Sequence, residues 1–365
     1  MPIDNDIITQ ETQGNAKKIP SAFDVARRAG VSQTTVSFVL SPHRRGKVAQ
    51  ATVKRVLDAV AELGYRPNKL ARSLAYGRSQ TVGLTLPYLD SDFHAKIAYG
   101  IRETLLMHDY HLLIMNAAPG ADAEGRIIDQ LLQQRVDAIA CFVNATTHSI
   151  APAWIENLAA ARVPAIVIDS PVFAGSIDAV VSDDDDGMRS AVEHLASLGH
   201  RKICYIADDS PDDILPVRTR AFVEHCKRLG LECGRRITFP VYERQSDSSG
   251  VILAMIEALR SPDPPTAFIG FNDLVLEDYL KSKDASLPEV PTEVSLVGYS
   301  DSFLARYSGL TSVSQDPYRM GVVAAERLLE RLENPEMPPE LIKTSTSLIV
   351  RQTTAPPPAV RAATT

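Results

Sequence analysis

In the stretch DVARRAGVSQTTVSFVL, Asp24 to Leu40, side chains able to hydrogen-bond crowd one short segment: Ser32, Gln33, Thr34, Thr35 and Ser37. Serine, threonine and β-branched residues are weak helix formers, so local propensity does not account for them. Wound as a helix, Val31, Thr35, Val36, Val39 and Leu40 face a core, while Gln33, Thr34, Ser37 and Phe38 point outward. The outward face is small, polar and built to make hydrogen bonds with something outside the domain.

The elements around that face explain how it is presented. Ser21 is placed to cap a helix from Ala22 to Ala29 that buries Phe23, Val25 and Ala26, and Ser32 caps the next helix. Small Ala26, then Gly30, then Val36 let two helices cross closely through a tight turn, the pattern of a helix-turn-helix. A helical hairpin inside an ordinary core is the alternative, and charge weighs against it. The 365-residue chain carries −7, but residues 15–78 hold 13 Lys and Arg against three acids, a local +10. Residues 1–14 carry −3 and residues 79–365 carry −14, so a basic head that can meet phosphates sits on an acidic body.

A third helix follows the basic loop SPHRRGKVAQ, with Val53, Val56, Leu57, Val60 and Leu63 at helical spacing, Gly64 at its C-terminal cap and Pro67 beyond. NKLARSLAYGRSQ reads as a further helix capped by Asn68, ended by Gly77 and too short to be stable alone. From Thr81 apolar bursts alternate with helical patterns, which implies parallel α/β sheets. A first cycle ends at AIVID and a second begins at DAVVSD. Two like-built halves imply a cleft between them, the usual place for a small molecule in such folds.

Residues 1–18 read as a disordered acidic leader without an apolar signal region, and residues 353–365 as a disordered tail. No apolar stretch reads as a membrane span, and the expected location is the cytoplasm, in association with the nucleoid. Cys141, Cys204, Cys226 and Cys233 lie apart, without metal spacing, and read as buried or idle thiols. Glycine-rich dinucleotide or phosphate loops, His-Glu-x-x-His and Gly-x-Ser-x-Gly are absent, so the chain does not read as an enzyme and calls for no cofactor or metal. The acidic run Asp183 to Asp186 precedes an apolar helix from Met188 to Leu198, where carboxylates cap backbone amides and favour the helix dipole.

DVARRAGVSQTTVSFVL, ELGYRPNKLARSLAYGRSQTVGL, HLASLGHRKICYIA, FND and VSLVGYSD together resemble the lactose-repressor (LacI/GalR) family of bacterial transcription regulators, from Ser21 to Gln352. The resemblance implies an all-α helix-turn-helix domain over 19–66, a hinge helix and linker over 67–78, and an effector-binding and dimerisation body over 79–352. The body would be two doubly wound parallel-sheet subdomains, like periplasmic sugar-binding proteins of type I. The implied function is repression by a homodimer on a pseudo-palindromic DNA operator, set by a small sugar-like effector, with no membrane partner. Control by a partner protein or phosphorylated metabolite is the alternative, as is a ligand-binding protein without sequence-specific DNA function.

By the same resemblance Gln33 and Thr34 read base edges, which Gln can do bidentately at adenine and Thr through hydroxyl and methyl. Ser21, Thr35, Ser37, Thr52 and Tyr65 match phosphate contacts, and Asn68, Lys69, Ala71 and Leu74 the hinge helix, with Leu74 the wedge between bases. Phe38 stands where many relatives carry Arg, so the operator differs from the usual one or Arg44, Arg45 and Lys47 compensate. Phe93, His94, Asp169, Arg218, Asn272, Ser300 and Asp301 match effector contacts, a set of carboxylate, amide, guanidinium and aromatic groups suited to hydroxyls. His94 replaces a common aromatic and Ser300 the family's first aspartate after Gly-Tyr. Ion pairs within the protein are the alternative for Arg218 and Asp301.

Overall fold

The computed structural model describes residues 20–40, 48–66, 77–116, 123–142, 153–171, 175–208, 216–233, 237–239, 249–282 and 287–358. The chain divides into two compact units, Met1–Ser79 and Gln80–Thr365.

In the first unit, helices α1 (Ala22–Ala29), α2 (Gln33–Leu40) and α3 (Gln50–Leu63) enclose a small core of Val25, Ala26, Ala29, Val36, Val39, Val56 and Ala59. Ser21 and Asp24 form a reciprocal capping box, the Asp24 N–H donating to Ser21 Oγ at 3.3 Å and the Ser21 N–H to Asp24 Oδ2 at 2.9 Å. Gly30 ends α1 in the left-handed region at φ 67°, where a side chain is strained, and this makes the tight turn possible. Two expected core residues lie elsewhere. Phe23 is 57% exposed beneath Arg27, because its position falls well off the stripe that Val25, Ala26 and Ala29 turn inward. Leu57 is exposed, and Ala59 takes the inward place in α3.

The second unit holds two sheets, parallel throughout except for one antiparallel strand at the edge of the second. Strands β1 (Thr81–Leu86), β2 (His111–Asn116), β3 (Ala138–Phe142), β4 (Ala165–Ile168) and β5 (Asp178–Ser182) form the first, joined by β12 (Leu341–Thr344) in the order β12-β5-β4-β3-β1-β2. Its alternate residues feed two cores: Leu84, Ala140 and Ile166 pack on one face with α4 (Asp92–Met107) and α12 (Pro317–Glu333). Ile139, Cys141 and Val167 pack on the other with α5 (Ala123–Gln133) and α6 (Ala153–Ala161). The crossing of α4 and α12 is close because Gly100 and Gly321 bring the backbones together: a Cβ on Gly100 would strike the carbonyl of Tyr318, and one on Gly321 the carbonyl of Ile97.

The second sheet runs β13-β11-β10-β9-β6-β7, with β8 also on β6. Its strands are β6 (Lys202–Asp208), β7 (Glu232–Cys233), β8 (Ile237–Phe239), β9 (Ala267–Gly270), β10 (Ser295–Tyr299), β11 (Thr311–Ser314) and β13 (Ser347–Ile349). Helices α7 (Asp184–Ser197), α8 (Pro216–Arg228), α9 (Ser249–Leu259), α10 (Leu274–Lys281) and α11 (Phe303–Ser308) accompany it. Asp178 to Ser182, read as opening the second cycle, instead completes the first sheet, and the chain returns there through α12 and β12. A buried ion pair fixes that return: the Asp178 carboxylate accepts from Arg327 Nε at 3.1 Å, Arg331 Nε at 2.5 Å and the Glu340 N–H at 2.9 Å.

The chain thus passes between subdomains at residues 182–184, 314–317 and 344–347. These segments bind one another: the Asp183 N–H donates to the Thr344 carbonyl at 2.8 Å, Gln315 Nε2 to Ser182 Oγ at 2.9 Å, and Thr346 Oγ1 to the Asp183 carbonyl at 3.2 Å. The expected disorder beyond Gln352 begins too early. Thr353 is 3% exposed; its hydroxyl donates to the Leu296 carbonyl at 2.7 Å and accepts from the Thr311 N–H at 2.9 Å. Apolar neighbours are not required for such an anchor, so a hydropathy reading passes over it.

Candidate functional site

In the first unit, Ser32 Oγ accepts the Thr35 N–H at 3.1 Å and meets Thr35 Oγ1 at 2.9 Å, fixing the start of α2. Gln33 and Thr34 follow directly and are exposed on the first turn, while Val36 and Val39 anchor the opposite side. Thr35, Ser37 and Phe38 are half-buried, so the phenyl ring lies flatter against the domain than the helical wheel implies. Ser21 is exposed, and Thr52 and Tyr65 are half-buried. Arg28 and Glu62 pair at 2.6 Å and tie α1 to α3, holding the frame that carries α2. The hinge positions Asn68, Lys69, Ala71 and Leu74, and the loop residues Arg44, Arg45 and Lys47, lie outside the described residues.

In the second unit, the predicted effector residues gather at the ends of strands, where open α/β sheets place ligands. Asp169 directly follows β4 at φ 60°. Burial pushes its carboxyl up to about 7, against the opposing pull of Arg218 and with the added push of Asp184. Arg218, in the first turn of α8, is 4% exposed. Its Nε donates to Asp184 Oδ2 at 2.9 Å, its Nη1 to the Phe271 carbonyl at 2.8 Å, and its guanidinium lies 3.9 Å over the Tyr299 ring. Burial lowers the guanidinium's pKa, but Asp184, Tyr299 and Asp169 more than offset this and keep it charged.

Asp184 corrects the reading of the acidic run as helix caps. Its carboxylate is buried and accepts from Ser182 Oγ at 2.7 Å, Tyr299 Oη at 3.0 Å and Arg218. Asp186 pairs with Arg189, and Asp185 faces His225 at 3.3 Å. Asp184, Tyr299, Ser182 and Gln315 join this candidate site and were not predicted from the sequence. The available signal was the mismatch between four acids and the single turn of amides they could cap.

The remaining predictions divide. Phe93 and His94 are half-buried at the start of α4, in a group of rings where His94 packs edge-on to Phe142 at 4.7 Å and to Phe93 at 5.6 Å. Such ring faces can stack against the apolar side of a ligand. Asn272 turns its Oδ1 to the Val275 N–H at 3.2 Å, and Ser300, at φ 110°, donates from Oγ to Gln315 Oε1 at 3.3 Å. Asp301 forms ion pairs with Arg306 Nη2 at 2.8 Å and Arg351 Nη2 at 2.5 Å, the kind of internal pairing that Arg218 also makes with Asp184. Between the two subdomains the Phe303 N–H donates to Asp92 Oδ2 at 3.1 Å and Lys96 Nζ to the Asp301 carbonyl at 3.5 Å. Among the described residues no group of three or more His, Cys, Asp or Glu could hold a metal, and no helix is long and apolar enough to cross a membrane.

Comparison with known proteins bears on both units. Residues 23–68 match the family model described as bacterial regulatory proteins, lacI family, and residues 192–354 match the periplasmic binding protein-like domain. The chain is 31% identical over 319 residues to catabolite control protein A of Priestia megaterium, covering 86% of this chain and 92% of that protein. It is 27% identical over 328 residues to the HTH-type transcriptional repressor PurR of Aliivibrio salmonicida (strain LFI1238), with 87% and 96% covered. Among solved structures, the complex of the transcriptional regulator CelR with cellobiose superposes with a TM-score of 0.66 at 27% identity, over 92% of this chain and 99% of that one. The lac repressor dimer bound to operator and the anti-inducer ONPF shares the fold with a TM-score of 0.75 at 24% identity, over 93% and 100%.

Proposed function

Because the chain belongs to the lacI family of bacterial regulatory proteins, a family of DNA-binding transcription regulators, we propose that it represses transcription as a homodimer on a pseudo-palindromic operator under control of a neutral, sugar-like effector. The protein would act in the cytoplasm, associated with the nucleoid, and as a binding protein without catalysis. The observation that carries the DNA half is the exposed pair Gln33 and Thr34 on the first turn of α2, within a segment of charge +10. Phosphates met by that charge fix register, and the amide and hydroxyl read bases. Ser21, Thr35, Ser37, Thr52 and Tyr65 would hold the backbone, Phe38 would touch a thymine methyl or sugar, and Asn68, Lys69, Ala71 and Leu74 would serve the hinge.

The effector reading rests on charge balance at the buried site. Arg218 is matched by Asp184, and Asp169 adds a further acid. A phosphorylated ligand would bring dianionic charge to a place with no surplus cation among these three groups, whereas hydroxyls can share their donors and acceptors. CelR, similar to this chain, is described with the neutral disaccharide cellobiose. Phe93 and His94 would supply the wall, and Asn272 and Ser300 further polar contacts. Binding would shift the two subdomains about the three crossing segments, and by linkage the operator must change effector affinity by the same factor.

Thermal-shift measurement on the full chain tests this reading, using neutral mono- and disaccharides beside their phosphate esters. A neutral sugar that raises the transition temperature, with its phosphate ester inert, supports it. Stabilisation by the phosphorylated compounds alone would replace it with the phosphorylated-metabolite alternative.

A further inference from the structure

Two of the four cysteines that lie apart in the sequence are neighbours in the fold. Cys141 and Cys204 are enclosed in the cores of different sheets, but Cys226 lies in α8 and Cys233 in β7, where it is exposed. The rings of Phe222 and Tyr205 meet at 5.4 Å, so α8 rests on the face of β6 that shows Tyr205. One turn along the helix from Phe222 is Cys226, and on the same face of β6, two residues from Tyr205, is Ile203. Both are fully buried in one core. Strand β7 runs parallel to β6 with Cys233 beside Ile203, and paired residues of adjacent strands project from the same face. Cys233 therefore faces Cys226, near enough that it helps to push the Cys226 thiol above its ordinary range. The turn between them is closed by the Leu231 N–H donating to the Cys226 carbonyl at 2.9 Å.

We propose that Cys226 and Cys233 form a redox modification site that closes to an intramolecular disulfide when the protein meets a hydroperoxide. The Cys233 thiolate attacks a peroxide oxygen; the O–O bond breaks, leaving Cys233 sulfenic acid and, from hydrogen peroxide, one water after proton uptake. The Cys226 sulfur then attacks the sulfenic sulfur; the S–S bond forms, the S–O bond breaks, and hydroxide leaves with the Cys226 proton as a second water. Two thiols lose two electrons and one peroxide becomes two waters. Burial and the neighbouring Cys233 push the Cys226 thiol well above its ordinary range, which assigns the attack on peroxide to the exposed Cys233 and the resolving step to Cys226. The bridge would tie the last turn of α8 to an edge strand, and Arg218 stands in the first turn of that same helix.

The test treats the full-length protein with hydrogen peroxide, blocks remaining thiols by alkylation and maps tryptic peptides with and without reduction. The expected product joins residues 221–227 to residues 229–235 and disappears on reduction, while Cys141 and Cys204 remain thiols. Cys233→Ser, at an exposed position that leaves the fold intact, should give no joined peptide and leave Cys226 reduced. The proposal is overturned if Cys233 is carried to sulfinic acid, or links two chains, while Cys226 stays available to alkylation after unfolding.

Discussion

Arg218 serves two demands, balancing Asp184 and presenting a charged donor beside Asp169. Removing it by Arg218→Ala leaves a buried carboxylate with only Ser182 and Tyr299 as partners, a change that costs about 3–5 kcal/mol when a buried pair is broken. Denaturant unfolding should show that loss, and effector-induced thermal stabilisation should vanish with it. Asp169 gives a second prediction, with a defined sign. Its folded-state carboxyl is raised to about 7 from an ordinary 3.8, so the native state binds this proton more tightly. Stability from this group is present below pH 3.8, falls as pH rises toward 7, and is level above. Asp169→Asn, which also tolerates the left-handed backbone at φ 60°, should match the parent near pH 4 and exceed it at pH 8 in chemical denaturation. An equal difference at both pH values would contradict the buried-acid assignment. At the DNA face, Gln33→Ala should lose about 1–3 kcal/mol of discrimination at one base position, and Phe38→Ala should alter base preference in a randomised-site selection.

Among the elements, the crossing of α4 and α12 has little room to adjust, because the clash for a Cβ on Gly100 or Gly321 is with backbone atoms. Gly100→Ala or Gly321→Ala should therefore destabilise the second unit by about 1–3 kcal/mol or more, read by thermal or denaturant unfolding. Helices and strands were legible where apolar spacing and caps agreed: Ser21 and Gly30 bound α1, and Gly64 closes α3, as their residue types require. What the sequence could not display was partnership across distance. The Asp183 to Asp186 run looks like a helix cap because that is the local use of such residues. The Asp184 partner Arg218 lies 34 residues away and Tyr299 lies 115 away. The assignment of Asp178 to Ser182 to the first sheet likewise depends on β12, which returns from far along the chain. Burial of Thr353 depends on Leu296 and Thr311, so a polar segment read as tail is an anchor. Deleting residues 353–365 should accordingly lower the thermal transition of the second unit.

For the whole molecule, the division of charge and the division of structure agree: the basic segment belongs to the unit ending at Ser79, and the acidic remainder to the unit from Gln80. On the proposed function, that separation would let one unit bind a polyanion while the other holds a charge-balanced effector. The central claim, a dimer reading a two-fold sequence through α2, is tested most directly by in-vitro site selection from randomised duplex DNA with purified full-length protein, run at two salt concentrations. Raising salt weakens phosphate contacts without erasing base readout, so the expected result is one pseudo-palindromic site enriched at both. Binding that fades with salt and enriches no motif would contradict the account.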